Sequence, residues 1–343
     1  MRDWAAHAPR AAGKFVRMTT RLLLAAAAAL ALAPQHAAAQ QPDTTHARLV
    51  REYTSDPSFL PATVATLPDH PTIPSPRRHF GTIIGAPGVM HRTREIYGYY
   101  RALAAASPRV RVEQLGMSEE NREILLVVIA DERVMAELDR HRDGARRLSD
   151  PRGTSREEAE RIVTSIKPSY YLNGGLHSPE MGSPQMLMEL AYRLAVSDDP
   201  QIRAIRETVI TLINPVSEPD GRDRQVDWYH RYTRHRTDWE DGFPRSVPYW
   251  GKYVYHDNNR DGIQISQNLT KAIYKAYFDW YPAVSLDLHE SVPLLYVSTG
   301  TGPYNEVIDP VTISEWQLLA NHDVSTLTAL GVPGVWTLSL IHI

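Results

Sequence analysis

Ser169-Tyr-Tyr-Leu-Asn173-Gly-Gly-Leu-His177-Ser-Pro-Glu180-Met-Gly-Ser183-Pro184 sets the architecture of this chain. Residues 169–173 read as a strand. Ser183-Pro184 then reads as N-cap and first residue of a helix, with Leu187, Leu190, Ala191 and Leu194 on one face. Upstream, residues 124–130 form a continuous apolar run of the kind buried on both faces of a sheet. Before it, Val110 and Val112 alternate with arginines like a strand. Ile96, Tyr100 and Leu103 lie at helical spacing in a helix ended by Ser107-Pro108. Ser155 with Glu158 is a capping box for a further helix. Downstream, Asp199-Pro200 opens a short helix before a strand at 208–213. Ile265, Leu269, Ile273, Ala276 and Trp280 mark a longer helix, and a strand follows at 284–289. A helix at 313–330, closed by Gly331, precedes a strand-like 335–337. Strands alternating with helices predict an α/β fold, a largely parallel sheet with helices on its faces.

The composition is that of a globular protein, with 43% hydrophobic and 22% charged residues. A formal net charge of −3 argues against nucleic acid as a partner. With no cysteine, thiolate zinc sites, thiol nucleophiles and disulfides are all excluded. Lys14, Arg17 and Arg21, the 12-residue apolar run 22–33 and the small residues Ala37-Ala38-Ala39 form a signal peptide, cleaved near Ala39. The run is too short to span a bilayer, so no membrane span is expected after cleavage, and the product is exported, periplasmic or extracellular. Met18 is an alternative start to Met1. Six prolines between residues 57 and 76 predict an extended Pro-rich segment over 40–90, with regular structure beginning near His91.

The chain has neither a G-x-S-x-G elbow nor a phosphate-binding Gly-rich loop, which leaves histidine and carboxylate chemistry. His177 and Glu180 form an H-x-x-E pair just after a strand, a spacing that lets both side chains reach one metal ion. About 1.6 H-x-x-[D/E] pairs arise by chance at this composition and two occur, the second being His235/Asp238, so spacing alone also suits a surface pair. In the 284–289 strand, Ser285, Asp287 and His289 share a face, which sets His289 at a carboxyl end, where α/β sheets place their sites. It either joins His177 and Glu180 in a His2Glu set or caps its own strand. Asp287 either orients His289 or forms a structural salt bridge. Asn268-Leu-Thr270 matches a glycosylation pattern but reads as part of a helix.

Five stretches occur in a family's order: Gly116-Met-Ser118-Glu-Glu-Asn-Arg122, the H-S-P-E at 177–180, Pro219-Asp-Gly221, His256-Asp-Asn-Asn-Arg260 and Leu286-Asp-Leu-His289. Over residues 91–337 the chain resembles the carboxypeptidase A-type zinc metallocarboxypeptidases. The resemblance implies a mixed, largely parallel sheet with helices on both faces. It also implies one Zn2+ per chain held by His177, Glu180 and His289. Asn259 and Arg260 match the pair that grips a substrate's free C-terminal carboxylate. Arg231 resembles the arginine that polarises the scissile carbonyl, with Arg234 the alternative; both lie in an arginine-rich stretch that also suits a solvated basic face. Asp257 matches the aspartate behind the first zinc histidine. Pro179 stands where digestive-type members carry an arginine, which leaves one substrate contact without a match.

The implied activity is hydrolysis of C-terminal residues from peptides. An amidohydrolase or deacylase acting on cell-wall peptides and a non-catalytic protein keeping the zinc pocket are the alternatives. Glu290, next to a ligand on a strand, is expected to point to the opposite face and so to be a poor base. The family's catalytic glutamate has no match after His289. Residues 338–343 spell what a transposon-derived sequencing adapter encodes in frame. Residues 91–337 are therefore expected to be an incomplete peptidase domain lacking its C-terminal elements, and the chain an inactive fragment.

Overall fold

The computed structural model describes residues 40–232, 251, 254–290, 295–296 and 305–336. The expected signal peptide over residues 1–39, Arg234, the His235/Asp238 pair and residues 338–343 lie outside them. Among the described residues the chain forms a five-stranded sheet in the order β1-β2-β4-β3-β5, with strands Val110–Met117, Glu123–Ile129, Ile210–Asn214, Ser169–Gly174 and Val284–Leu288 respectively. β1 and β2 are a hairpin, and β2 is also antiparallel to β4. β3 runs parallel to both β4 and β5, so four of the five strands share one direction and β2 alone opposes them. The expected alternation of strand and helix therefore holds only after β2. A two-stranded parallel pair, β6 (Leu295–Tyr296) with β7 (Val335–Trp336), stands apart from this sheet.

Period-two alternation in β2 explains the layering. Leu125, Val127 and Ile129 pack with α3 (Thr93–Ala106) and α7 (Gly182–Val196). Ile124, Leu126 and Val128 pack on the other face with α10 (Asn268–Trp280) and with Val134 and Leu138 of α4 (Glu132–Met135) and α5 (Leu138–Ser149). Each such buried side chain is worth roughly 1.5–3 kcal/mol, so this strand anchors two cores at once. β5 differs: it pairs on one side among the described residues, and Leu286 is 37% exposed. The remaining helices are α6 (Arg156–Ser165), α8 (Pro200–Thr208), α9 (Pro219–Tyr232) and α11 (Pro310–Ala329). None is long and apolar enough to cross a membrane.

Regular structure begins well before His91. Asp43 caps α1 (Thr44–Tyr53) by accepting from His46 N–H, and α2 (Pro76–Phe80) follows. The Pro-rich stretch between them lies against α7, where Tyr192 donates to Pro68 O at 3.0 Å and Arg193 to Thr66 O at 2.5 Å. Leu67 and Ile73 enter the core beside Tyr99. Two further expectations need correction. α10 starts at Asn268, after Ile265 with φ of 51°, and α7 starts at Gly182, so Ser183 lies inside its first turn rather than at the cap.

Candidate metal centre

The carboxyl ends of β3 and β5 are neighbours, with Gly174 in register with Leu288, so the loop after each strand emerges at one place. Gly175 takes φ of +63°, a backbone conformation costly to other residues, and turns the chain under α7. Ser183 holds this turn by accepting from Gly175 N–H at 3.1 Å, and Asn258 donates to Leu176 O at 2.6 Å. These bonds place His177 and Glu180 opposite His289.

Glu180 is the hub. His177 Nδ1 donates to its Oε1 at 2.9 Å and His289 Nδ1 to its Oε2 at 3.0 Å. The two rings lie 4.7 Å apart at 57°, and one ligand atom from each of the three residues falls within 4.8 Å of the others. Burial disfavours the charge on Glu180, but the bonds from His177 and His289 outweigh it and hold the carboxyl down at about 2. Hydrogen bonds to Asp287 and then Glu180 push His289 up to about 10 against its own burial. Behind the rings stand two aspartates. Asp287 Oδ2 accepts from His289 Nε2 at 2.9 Å, and Asp257 Oδ1 lies 3.5 Å from His177 Nε2. Both Nδ1 atoms thus face inward and both Nε2 atoms are backed by a carboxylate.

Does this donor set fit zinc? Ligand atoms about 2.0–2.1 Å from zinc in a tetrahedron sit roughly 3.3 Å apart. The 2.9 and 3.0 Å separations, one to each oxygen of Glu180, are close to that edge, one ligand atom from each residue lies within 4.8 Å of the others, and imidazole with carboxylate is a donor set zinc takes readily. The residues fit the ion, with His177 and His289 offering Nδ1.

The other expected site residues divide. Asn259 lies on the turn Asn258–Arg260, where its N–H donates to Asp257 Oδ1 at 2.8 Å. It lines a small cavity of about 150 Å³ with Asn173, Leu176, Tyr277 and Asp287. Arg260 is exposed on the same turn, its Nη1 bonding Asn259 O at 2.9 Å. Arg231 is exposed on the last turn of α9 with its guanidinium 5.4 Å from the Tyr232 ring centre, and it has no described contact with the three-residue cluster.

Glu290 departs from expectation. β5 ends at Leu288, so strand alternation does not govern residue 290. Its side chain accepts from Gly182 N–H at 2.6 Å, capping the first turn of α7, and its backbone N–H helps hold Glu180 ionised. Sequence reading also missed the buried amides and hydroxyls behind Asp287; Asn173 sits in the quoted strand, and only its polarity in an apolar run marked it.

The family motifs outside the centre brace the fold. Arg122 donates to Asp220 at 2.7 Å and Asp223 at 3.0 Å, and Ser118 donates to Asp220 at 2.7 Å, tying the β1–β2 hairpin to α9.

The model of one family, described as zinc carboxypeptidase, matches residues 96–325. No curated protein sequence matches the chain. Among solved structures, thrombin activatable fibrinolysis inhibitor is similar at TM-score 0.50 and 13% identity, over 85% of this chain and 64% of that one. Carboxypeptidase A from Helicoverpa armigera is 17% identical at TM-score 0.47, over 75% of this chain and 59% of its own. A metallo-carboxypeptidase from Burkholderia cenocepacia is 14% identical at TM-score 0.47, over 73% and 53%. The chain thus spans less than two thirds of the length of each of these structures. With its model matched over more than half of the sequence, this chain belongs to the zinc carboxypeptidase family.

Proposed function

We propose that the chain carries the metal centre of an exported zinc-dependent metallocarboxypeptidase, an enzyme that hydrolyses the last peptide bond of substrates ending in a free carboxylate. One observation carries the reading: two imidazole Nδ1 atoms converge on the two oxygens of one carboxylate, each ring backed by an aspartate. His177, Glu180 and His289 would be the ligands. A zinc ion bound there supplies Lewis-acid polarisation of water and of the scissile carbonyl. Asp287 holds the His289 ring with Nδ1 inward, which fixes the tautomer the metal needs, and Asp257, 3.5 Å from His177 Nε2, is assigned the same part behind His177. Asn259 and Arg260 grip the substrate's terminal carboxylate. No carboxylate pairs with Arg260 among the described residues, which leaves its planar fork open for that bidentate role. Arg231 is assigned to the developing oxyanion from its sequence position. The peptidase domain is assigned to residues 91–337 and the leader to 1–39.

The test is metal content. The purified chain should hold one zinc, by elemental analysis, and a His177→Ala/His289→Ala double variant should hold none. Unchanged zinc in the double variant would falsify the assignment.

A further inference from the structure

Three adjacent strands carry one polar residue each on the same rung at their carboxyl ends: Asn214 on β4, Asn173 on β3 and Asp287 on β5. Asn214 and Asn173 are buried, as are Tyr171 and Ser217 beside them. Three donors converge on Asn173 Oδ1: the Ser217 hydroxyl at 2.5 Å, the Tyr171 hydroxyl at 3.1 Å and Asn214 Nδ2 at 3.2 Å. A buried acceptor so surrounded settles which way the carboxamide faces. Its oxygen is taken up on the inner side, and its Nδ2 turns outward and donates to Asp287 Oδ1 at 2.9 Å. The other oxygen of Asp287 receives His289 Nε2 at 2.9 Å.

We propose that Asn173 is a positioning residue of the metal centre. Asp287 lies on a half-exposed strand, and its side chain is 40% exposed. A carboxylate there with one partner can rotate towards water. The amide of Asn173 gives it a second anchor, so that its remaining oxygen stays aimed at Nε2 and His289 Nδ1 stays turned towards His177 and Glu180. The chemistry demands an amide. An aspartate at 173 would accept the three inner bonds but would set a second carboxylate against Asp287, with no proton donor between them. Asn173 therefore links the buried interior, through Asp287, to the ring that binds metal. The inference rests on the zinc reading of the site.

The test compares zinc affinity, by chelator competition, and the cobalt(II) absorption spectrum, which reports ligand geometry, in the full chain and its variants. Partners that orient metal ligands are typically worth 10- to 100-fold in affinity. Asn173→Ala is expected to bind zinc about 10- to 100-fold more weakly with an altered cobalt spectrum, while melting cooperatively. Asn173→Asp should lose at least as much. The exchange Asn173→Asp/Asp287→Asn restores every link in reverse: the carboxylate takes the inner donors and the amide of residue 287, whose oxygen receives His289 Nε2–H. It should recover affinity relative to Asn173→Asp. A folded Asn173→Ala variant with the parent's affinity and spectrum overturns the proposal, as does an exchange no better than Asn173→Asp. Should Asn173→Asp fail to fold, Asn173→Ala carries the comparison. A parent chain that binds no zinc overturns the site reading as well. A parent that binds zinc and loses it in His177→Ala/His289→Ala, beside an unaffected Asn173→Ala, overturns this inference alone.

Discussion

Glu218 illustrates how a residue near the centre stores a pH dependence. It is 4% exposed, and burial, reinforced by the charge of Asp220, raises its carboxyl to about 8. The neutral acid is therefore the folded form at pH 7, accepting from Gly221 N–H. Because the folded state binds this proton more tightly than the unfolded chain, stability falls as pH rises from about 4.5 to about 8 and the loss levels off above that. Glu218→Gln keeps the acceptor and removes the titration. Urea melts should show a flatter pH profile for the variant, with a gain over the parent above pH 8 on the order of a few kcal/mol. Equal midpoints at pH 9 would rule the account out.

At the scale of elements, the turn between β3 and α7 decides whether His177 reaches the site. Gly175 combines a left-handed backbone with close packing, since an added Cβ would stand 2.8 Å from Pro184 Cγ. A side chain there meets backbone strain of roughly 1–2 kcal/mol before any clash is counted. Gly175→Ala is accordingly expected to lower stability by at least ~1 kcal/mol and to weaken zinc binding through displacement of His177. A thermal melt and zinc titration indistinguishable from the parent would show that the turn tolerates the change. The start of α7 follows the same logic. With Glu290 accepting from Gly182 N–H, Ser183 is released from capping and holds Gly175 instead. α1 was legible in retrospect from Asp43, a good N-cap before Thr44; the density of prolines further on masked it.

For the molecule as a whole, the centre joins segments distant in sequence, so metal binding should be read out in global stability. Zinc at a hundred times its dissociation constant stabilises a folded chain by about 2.7 kcal/mol, which for a protein of this size raises Tm by roughly 5 °C. The parent is expected to show this rise, and His177→Ala/His289→Ala to show none. A rise of the same size in the double variant would place the zinc elsewhere. The sheet that carries the centre is asymmetric: β2 is buried on both faces, whereas β5, which delivers Asp287 and leads into His289, is half exposed. The bonds from β3 across to β5 are what keep the exposed side of the site in register.

What the sequence determined by itself is local in kind. The apolar run at 124–130 announced a strand buried on both faces, and H-x-x-E after a strand marked a metal-binding spacing, because periodicity and short separations act within a few residues. The order of the five motifs added the family. The tertiary structure alone decided which distant groups meet: Glu290 at Gly182, Arg122 at Asp220, Asn173 at Asp287. Alternation tells which face a side chain takes, but not which strand lies beside it or at what register, since pairing is settled by how whole faces pack. His289 could be placed at a strand end from its own neighbours. That it faces Glu180 through Nδ1, held from behind by Asp287 and Asn173, is a consequence of two parallel strands lying side by side.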